Sequence, residues 1–598
     1  MCGIVGYLGN GDCIENIKEG LLNVEYRGYD SAGIGYIDGN KIVVQKRVGN
    51  VANLFDSITC PNGIHCGIGH TRWATHGEVC EKNAHPHLSY NNRFAIVHNG
   101  IIENYAMLRD KVLADVPFRT DCDTETVVNM VAYINAQRPN LSIIECLGES
   151  LKSVQGSYAI AMIALDTPDV IYFARKESPL LIGKADGETF VSSDILGFGR
   201  NCKEYVVVPN GIYGEVTKDG IKAYKQGGEA YELEFKPMVS LGERADKGDN
   251  AHFMQKEINE IPAVIVKTID IYMKKLNPLT MIEPEFWKDI DRIEFVACGT
   301  SYHASMVGAM FVEDNAHKVC RTHFASEFVY NPPYIDEHTL CVFVSQSGET
   351  ADTLHAVKVA KENGAKTLGI TNVMTSNLVH ICDHSLPICA GTEVAVASTK
   401  AYNAQVTVMM LLADFLRDGN YETIARRISS QAMTINLDEM WNAAKAFVKK
   451  INGSRSIYFV GRHMDYITCL EASLKLKEIS YIPCEAYAAG ELKHGTIALV
   501  EEGTTMLAIV TEPKLISKTL NIVEQAKARG AMLKYYTSLD LKDFAVKDKD
   551  ILKAPKVDVE LSPLFSIIPM QMVAYLVSVG KGYDPDRPRN LAKSVTVE

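Results

Sequence analysis

The chain begins Met1-Cys2-Gly3-Ile4-Val5-Gly6, and what is predicted for its first part depends on how this stretch is interpreted. If an aminopeptidase removes Met1, Cys2 becomes the amino terminus and carries both a thiol and a free α-amine. A thiol with a pKa of ~8.5 is mostly protonated at neutral pH, and an α-amine with a pKa of ~7.7–8.0 can accept its proton. Cys2 is therefore a candidate terminal nucleophile that uses its own amine as the base. The alternative is a buried strand that begins with cysteine.

Length and composition are those of a large globular protein. The 598 residues exceed the ~250–300 residues at which a single core stops growing, so several domains are expected. Hydrophobic residues make up 47% and charged residues 22% of the chain, which is usual for soluble proteins. The net charge is −12 and the basic residues are scattered, which argues against a nucleic-acid partner.

Cysteine usage and the chain start favour a cytoplasmic protein. The 15 cysteines show no repeated C-x2-C pairing, which favours reduced thiols over zinc sites or disulfides. His85-Pro86-His87 has no third ligand nearby in the sequence and is interpreted as structural, so no metal and no other cofactor is expected. Met1–Asn10 lacks the features of a signal peptide. The apolar run Leu561–Gly580 contains prolines and serines and predicts a buried helix rather than a membrane span.

Residues 2–240 are predicted to form the first domain. Short β-rich runs and amphipathic helices cluster there rather than alternate, which favours layered α+β packing. Polar clusters interrupt these elements at Tyr26–Gly33, Gly69–Gly77, His98–Asn104 and Asp121–Glu125. Each cluster has a structural explanation. Asn99-Gly100 suits a hairpin turn, Asp123-Thr124-Glu125 suits a helix start, and Arg72-Trp73 suits a surface cation–π pair.

Together the clusters predict one site for an amino-acid amide. Attack of a thiol on an amide creates an oxyanion, and the Asn99 side-chain amide beside the Gly100 N–H supplies two donors to it. The α-carboxylate of such a substrate suits bidentate pairing with Arg72, and its α-ammonium suits Asp123.

The motifs C-G-I-V-G, E-Y-R-G-Y-D-S-A-G, H-T-R-W-A-T-H-G, H-N-G-I-I-E-N and D-T-E follow one another in this order. In this order they resemble the glutaminase domain of N-terminal-nucleophile (Ntn-hydrolase) amidotransferases, which implies an αββα layer fold and hydrolysis of glutamine to glutamate and ammonia. The resemblance implies that Cys2 is the nucleophile and that Asn99 and Gly100 form the oxyanion hole. It assigns glutamine binding to Arg27, Arg72, Trp73, Thr75, His76 and Asp123. Cys122 stands where threonine is more familiar in that family.

Residues 241–281 are predicted to join two parts of the chain. Leu241–Asn250 is polar and lacks apolar periodicity, which is typical of a linker. His252–Glu260 predicts a connecting helix, and Pro262 is expected to interrupt it.

Residues 282–425 alternate strand and helix patterns, which predicts a parallel α/β domain. Ligands of such sheets bind beyond the carboxyl ends of the strands. Two of these ends, Cys298–Ser301 and Ser345–Thr350, carry glycine and hydroxyls, and we name them the phosphate loops. Backbone N–H groups, hydroxyls and a helix N-terminus suit a phosphate, and helix capping by Ser347 or Thr350 is the alternative.

Val342–Thr350 and Glu393–Ala401 resemble sugar isomerase (SIS) domains, which implies a doubly wound, flavodoxin-like fold that binds phosphosugars. The resemblance implies phosphate binding by polar residues of the two loops, Thr300, Ser301, Ser345, Gln346, Ser347 and Thr350. Val396 and Ser398 are implied to contact the sugar.

Residues 440–585 repeat the strand–helix pattern and are predicted to form a second copy of this domain. Val510–Pro513 replaces the serine-rich loop there, so one copy is expected to bind phosphate and the other to supply chemistry. Glu471, Lys475 and Glu478 lie on one side of a helix at i, i+4 and i+7. Periodicity alone favours a solvated, ion-paired face for these three residues.

Three further motifs extend the resemblance to the whole chain: L-E-A-S-L-K-L-K-E-I, A-Y-A-A-G-E-L-K-H-G and the terminal N-L-A-K-S-V-T-V-E. They resemble the glucosamine-6-phosphate synthase family, which implies conversion of glutamine and fructose 6-phosphate to glutamate and glucosamine 6-phosphate. In that reading Lys593 forms an imine with the sugar, and Glu478 moves a proton between C1 and C2. His494 assists ring opening and Lys475 stabilises charge, while the tail 586–598 covers the active site.

Two alternatives stay open. One is an amidotransferase or deglycase acting on another ketose or fructosamine phosphate. The other is a non-catalytic sugar-phosphate sensor, which would not need Cys2, Asn99, Asp123 and Lys593 together. The resemblance further implies a cytoplasmic homodimer that binds neither membrane nor nucleic acid.

Overall fold

The computed structural model describes residues 2–74, 77–199, 202–238, 246–544 and 546–595. Its internal contacts divide the chain into two compact units, Met1–Ala245 with Ala592–Glu598, and Asp246–Leu591. Thr75 and His76, which were predicted to bind glutamine, and residues 241–245 of the predicted linker lie outside the described residues.

The first unit contains strands and five helices of at least seven residues among its described residues. Its strands are β1 Gly3–Gly9, β2 Ser31–Asp38, β3 Lys41–Val48, β4 Cys66–Arg72, β5 His87–Leu88, β6 Phe94–Ile102, β7 Gly156–Ala164, β8 Thr167–Lys176, β9 Leu181–Ala185, β10 Glu188–Ser192, β11 Glu204–Val207, β12 Ile212–Thr217, β13 Gly220–Lys225, β14 Ala230–Tyr231 and β15 Lys236–Pro237. Its helices are α1 Cys13–Val24, α2 Val51–Ser57, α3 Tyr105–Lys111, α4 Thr124–Gln137 and α5 Ile143–Leu151.

Two sheets pack face to face in this unit, with helices on their outer faces. Their strand orders are β15-β11-β9-β10-β1-β4-β2-β3 and β14-β13-β12-β8-β7-β6-β5. Side chains alternate between the faces of a strand. Ile4 and Val97 therefore share the core between the sheets, whereas Val5 packs under α1 and Ile96 packs under α4 and α5. The predicted αββα layers are confirmed.

The second unit carries two parallel sheets and their helices. The strands are β16 Arg292–Ala297, β17 Val319–Phe324, β18 Thr339–Ser345, β19 Lys366–Thr371, β20 His384–Pro387, β21 Ile457–Gly461, β22 Cys484–Ala488, β23 Thr505–Ile509, β24 Met532–Thr537 and β25 Ile551–Lys553. The helices are α6 Phe253–Tyr272, α7 Gly299–Ala316, α8 Ala325–Phe328, α9 Ala351–Glu362, α10 Asn377–Ile381, α11 Lys400–Asp418, α12 Glu422–Met433, α13 Leu437–Ile451, α14 Met464–Ser480, α15 Ile516–Lys527, α16 Ser562–Phe565 and α17 Ile567–Gly580.

The two sheets of this unit have the same topology. Their orders are β17-β16-β18-β19-β20 and β22-β21-β23-β24-β25, which is the doubly wound order 2-1-3-4-5 twice. The predicted internal repeat is confirmed. In the first sheet β16 and β18 are neighbours, and Ala297 pairs with Val344. The two phosphate loops follow these strands, so they lie side by side where the strand order reverses.

Pro262 does not interrupt the connecting helix, so that prediction is wrong. Helix α6 runs through Pro262 from Phe253 to Tyr272. A proline inside a helix removes one backbone hydrogen bond and costs ~3 kcal/mol or more. Ile258, Ile261 and Ile265 are all fully buried in the core of the unit, and their burial outweighs the loss.

The apolar run near the carboxyl terminus is a core helix, as predicted. One segment among the described residues, Val559–Gly580, is long and apolar enough to cross a membrane, and 83% of its most apolar window is buried inside the protein. Helix α17 packs against α14, α13 and α6. The apolar surface of this helix is therefore covered by the protein itself.

Candidate active sites

Cys2 precedes β1 and lies beside the end of β4, because Gly3 pairs with Thr71. The Trp73 N–H donates to the Cys2 Sγ at 3.2 Å. The Cys2 carbonyl accepts from the Asn99 side-chain amide at 3.0 Å and from the Arg27 Nε at 3.2 Å. The structure thus brings together four of the side chains and backbone groups that the sequence assigned to the glutamine site.

The surroundings of Cys2 shift the pKa of its thiol. Burial raises the pKa of Cys2, while the Trp73 N–H and the Arg72 guanidinium act in the opposite direction. A thiol with a raised pKa needs a nearby base to become a nucleophile. Removal of Met1 would provide that base as the α-amine of Cys2 itself.

Arg27 is fixed by contacts that the sequence did not reveal. Its Nη1 pairs with Asp194 at 2.7 Å, and the Tyr26 hydroxyl donates to the same carboxylate at 2.6 Å. Arg27 is buried, so this pair is shielded from solvent and holds the guanidinium against the Cys2 carbonyl. Asp194 lies in no motif singled out above, and only its position near β10 in the fold identifies it.

Asn99-Gly100 is part of β6 and not a hairpin turn, so that alternative is wrong. Asn99 pairs with Ala159 and Gly100 with Tyr158 of β7. Gly100 has a φ of 132°, and a Cβ there would lie 2.1 Å from the Ser157 carbonyl oxygen. Only glycine fits this position, because its φ is positive and a side chain would collide with β7. The pairing of β6 with β7 continues on both sides of it. The Asn99 amide and the Gly100 backbone are thereby carried on a rigid element.

Four buried histidines, His70, His85, His87 and His98, form what we call the histidine cluster behind Asn99. The His70 Nε2 lies 3.0 Å from the Asn99 Oδ1. Burial lowers the pKa of His70 to about 3, so the ring is neutral. A neutral ring protonated on Nε2 donates to the Asn99 oxygen and leaves the Asn99 NH2 group directed at Cys2.

Arg72 and Asp123 are both buried, at 2% and 3% exposure, so the surface cation–π alternative is wrong for Arg72. The ring of Trp73 instead makes an edge contact with Tyr29, with centroids 5.6 Å apart. Asp123 precedes α4, which agrees with a helix start, but its side chain does not cap that helix. Its Oδ2 accepts from the Ile102 N–H at 2.7 Å, which holds the carboxylate at the end of β6.

In the second unit, the serine-rich phosphate loop is folded around its own hydroxyls. The Ser345 Oγ lies 2.9 Å from the Thr350 Oγ1 and accepts from the Gly348 N–H at 3.1 Å. Thr350 is at the cap position of α9, yet its side chain makes no capping bond, and Ser347 lies outside that position. The position of Thr350 therefore agrees with the capping alternative, but its side chain takes up none of the backbone N–H groups in the first turn of α9, which can donate to an anion.

Four other residues that were predicted to bind the sugar phosphate, Ser301, Gln346, Val396 and Ser398, are hydrogen-bonded to other parts of the second unit. The Gln405 Nε2 donates to the Ser301 Oγ at 2.9 Å, and the Gln346 carbonyl accepts from the Asn372 N–H at 3.1 Å. The Ser398 Oγ donates to Glu393 at 2.9 Å, and the Val396 N–H donates to the Asp586 carbonyl at 3.1 Å. Gln405 and Glu393 were not predicted. Glu393 is the first residue of the stretch Glu393–Ala401, whose resemblance to SIS domains could have identified it as a site residue.

The corresponding loop of the second repeat is filled by side chains of the protein. The Thr511 Oγ1 and N–H donate to Asp465 at 2.6 and 2.9 Å. The Glu512 carboxylate accepts from the Met464 N–H at 3.1 Å, at the start of α14. Burial raises the pKa of Asp465 to about 6. An anion is excluded here because a carboxylate already occupies the helix N-terminus.

Glu471, Lys475 and Glu478 do not form a solvated face, so that interpretation is wrong. The side chains of Glu471 and Lys475 are 0% and 1% exposed, because α14 packs against α7 and α17. The Lys475 Nζ lies 2.6 Å from Glu478 and 3.7 Å from Glu471. The spacing of these residues correctly predicted that they share one side of α14, but it did not show that other helices pack against that side.

These buried charges connect the second repeat to a phosphate loop of the first. Glu471 accepts from the Thr300 Oγ1 at 3.1 Å and pairs with the His303 Nδ1 at 2.7 Å. Burial alone would lower the pKa of Lys475, but Glu478 and Glu471 reverse this and raise it. Lys475 is therefore a permanent cation and a poor nucleophile. His303 was missed because a single histidine in an apolar helix carries no signal.

His494 and Lys593 are the other two predicted catalytic residues. His494 ends a short 3-10 turn, Glu491–His494, and its side chain is exposed. Lys593 groups with the first unit by its contacts. Both assignments stay predictions.

Comparison with known proteins agrees with this architecture. A family model described as "SIS domain" matches residues 287–414 and 450–580, and one described as "Glutamine amidotransferase domain" matches residues 70–198. The chain is 42% identical to a protein of Geobacillus kaustophilus and 40% identical to one of Clostridium tetani, each over 100% of both chains. Both are named glutamine–fructose-6-phosphate aminotransferase [isomerizing].

A solved structure gives the same result for the second unit. It is titled the C-terminal domain of glucosamine-fructose-6-phosphate aminotransferase from Francisella tularensis, and it is 31% identical to this chain. The match has a TM-score of 0.52 and covers 57% of this chain and 100% of that structure. With relatives of at least 40% identity along its full length, the chain belongs to the isomerizing glutamine–fructose-6-phosphate aminotransferase family.

Proposed function

We propose that this protein makes glucosamine 6-phosphate from fructose 6-phosphate with glutamine as the nitrogen donor, in the first step of amino-sugar synthesis. The observation that carries the proposal is the ion-paired set of the buried residues Glu471 and Lys475 with the half-buried Glu478, connected through Thr300 to the phosphate loops. A glutaminase without a sugar reaction would have no use for it. We further propose that the enzyme is a cytoplasmic homodimer without a cofactor.

The first half-reaction takes place at Cys2. The thiolate attacks the amide carbon of glutamine, the Asn99 amide and the Gly100 N–H stabilise the oxyanion, and ammonia leaves as a thioester forms. Water then hydrolyses the thioester to glutamate and returns the proton to the thiol. Arg72 binds the α-carboxylate, and Asp123 binds the α-ammonium.

The second half-reaction takes place beside the phosphate loops. The phosphate binds to the hydroxyls and backbone N–H groups of Ser345–Thr350 and to Thr300 and Ser301. Lys593 opens the sugar by condensing with the C2 ketone, which releases water, and ammonia from glutamine replaces the lysine as the amine on C2. Glu478 then moves a proton from C1 to C2. Lys475, held as a cation, stabilises the oxygen charge that develops.

A product assay with glutamine and fructose 6-phosphate tests the proposal. The wild-type enzyme should form glucosamine 6-phosphate from either glutamine or ammonium salts. Cys2→Ala should lose essentially all glutamine-dependent activity and keep the ammonia-dependent reaction, because only the first half-reaction needs the thiol. Cys146→Ala, another buried cysteine of the first unit, is the matched control. Equal loss of both activities in Cys2→Ala would contradict two separable half-reactions.

Borohydride trapping distinguishes the two lysines. Reduction in the presence of fructose 6-phosphate should fix one sugar on the wild-type protein, because hydride converts the imine to a stable amine. Lys593→Ala should abolish this label, whereas the exposed-lysine control Lys518→Ala should keep it. Mass spectrometry of the labelled peptide locates the sugar. A label on Lys475 would show that the imine assignment is wrong.

A further inference from the structure

Two histidines and a cysteine meet in the interior of the first unit. His85, His87 and Cys122 each offer one ligand atom, and these atoms lie within 4.8 Å of one another. All three residues are at most 4% exposed. The sequence argument against a metal was that His85-Pro86-His87 has no third ligand, and the fold supplies one from the segment before α4.

His87 gives an independent indication of a ligand. Both of its ring nitrogens are buried and have no hydrogen-bond partner within the described part of the chain, although His87 is only 1% exposed. A buried polar group without a partner costs about 1–3 kcal/mol. The neighbouring rings are satisfied: the His85 Nε2 lies 2.9 Å from the Thr124 Oγ1, and the His98 Nδ1 lies 2.9 Å from the same hydroxyl. Among the described rings of the histidine cluster, His87 therefore lacks a bond, and a metal would provide it.

We propose that His85, His87 and Cys122 bind a divalent ion of the zinc type through two imidazole nitrogens and one thiolate. Nitrogen and sulfur ligands in this number suit zinc, which takes them at about 2.0–2.3 Å in a tetrahedron. Such a tetrahedron places ligand atoms about 3.5 Å apart, so the side chains close in by roughly 1 Å on binding. The Cys122 thiol gives its proton to solvent as the ion binds. One coordination position is left for water.

The proposed metal site does not include Cys2 or Asn99, but it contacts Asn99 through one intervening histidine. The His85 Nδ1 is 3.1 Å from His70, and His70 contacts Asn99. Metal bound to the other ring nitrogen, Nε2, would replace the contact of that nitrogen with the Thr124 Oγ1. The proton of His85 is then on Nδ1 and is donated to His70. This fixes the tautomers that orient the Asn99 amide. The metal site itself does not depend on the proposed function, but this consequence for Asn99 does.

Metal titration of the full-length protein tests the site. The Cys2→Ala background removes the terminal thiol, which could itself bind metal together with its amine. After treatment with a chelator, this protein should bind a single tight equivalent of Zn2+, measured by competition with a chromophoric chelator. Co2+ should give a thiolate-to-cobalt charge-transfer band. Both signals should disappear with Cys122→Ser and with His87→Gln, and both should persist with Cys146→Ser.

Thermal unfolding guards against variants that simply fail to fold. Zn2+ should raise the Tm of the Cys2→Ala protein and of its Cys146→Ser control, and should leave the Tm of the folded Cys122→Ser variant unchanged. Absence of tight Zn2+ binding, or binding that survives both Cys122→Ser and His87→Gln, overturns the proposal. The two half-reaction assays above are separate, so a negative metal result would leave the proposed function standing.

Discussion

At the scale of single residues, Asp465 shows how the second repeat holds a charge in its interior. Thr511 donates twice to this carboxylate, yet burial is the larger effect and raises its pKa to about 6. A carboxyl group whose pKa is raised in the folded state contributes stability below its unfolded pKa of ~3.9. That contribution is lost as the pH rises through about 6.

We therefore expect the effect of Asp465→Asn on stability to depend on pH. The amide cannot ionise, so relative to wild type the variant should gain up to about 3 kcal/mol in free energy of unfolding between about pH 4 and about pH 8. Urea unfolding of both proteins across this range measures the difference. Asp543→Asn, at an exposed carboxylate of the same repeat, is the control. A difference that does not vary with pH would contradict a raised pKa.

The sequence predicted many of the candidate site residues but few of the residues that hold them in place. The Cys2 and Asn99 motifs predicted that these two residues lie together, because the chemistry of an oxyanion requires both. Asp194, His70 and His303 were not found, because their roles come from contacts between residues far apart in the chain. Charge spacing on α14 was visible, but only packing shows that Lys475 is buried.

At the scale of secondary-structure elements, α6 depends on packing rather than on helix propensity. Ile265→Ala should lower the free energy of unfolding of the second unit by about 2–5 kcal/mol, because it leaves a cavity at a fully buried position. Pro262→Ala should instead raise it, by up to about 3 kcal/mol, because alanine restores the backbone hydrogen bond that proline removes from α6. Urea denaturation of both variants compares the two effects. A larger effect at Pro262 would show that local propensity dominates.

Helix α17 offers a second comparison at this scale. Ala574 is fully buried, whereas Val579 is 39% exposed on the same helix. Ala574→Asp should destabilise the protein by several kcal/mol, since it buries an unpaired charge, and Val579→Asp should have little effect. Thermal unfolding in buffer without detergent measures both. Equal tolerance of the two substitutions would contradict a core position for this helix.

At the scale of the whole molecule, the sequence predicted the layers of the first unit and the repeat of the second. In the first unit, clustered strands such as Gly3–Leu8 must each bury one face of their sheet, which favours stacked layers. In the second unit, alternating strands and helices favour a parallel sheet covered by helices. The path of the chain within the first unit was not predicted, because β1 lies between β10 and β4 and those pairings join distant segments. The internal contacts define two units. The finer division into segments 2–240, 241–281, 282–425, 440–585 and 586–598 stays a prediction.

The carboxylate of Glu512 at the start of α14 gives the two repeats different relations to substrate. One repeat holds a carboxylate of its own at its helix N-terminus, so that this position is already occupied. In the other repeat, we propose that the phosphate of the substrate takes this place at the N-terminus of α9. On this proposal the two copies of one fold divide their work: one is assembled from its own side chains, and the other is completed by the substrate that it receives.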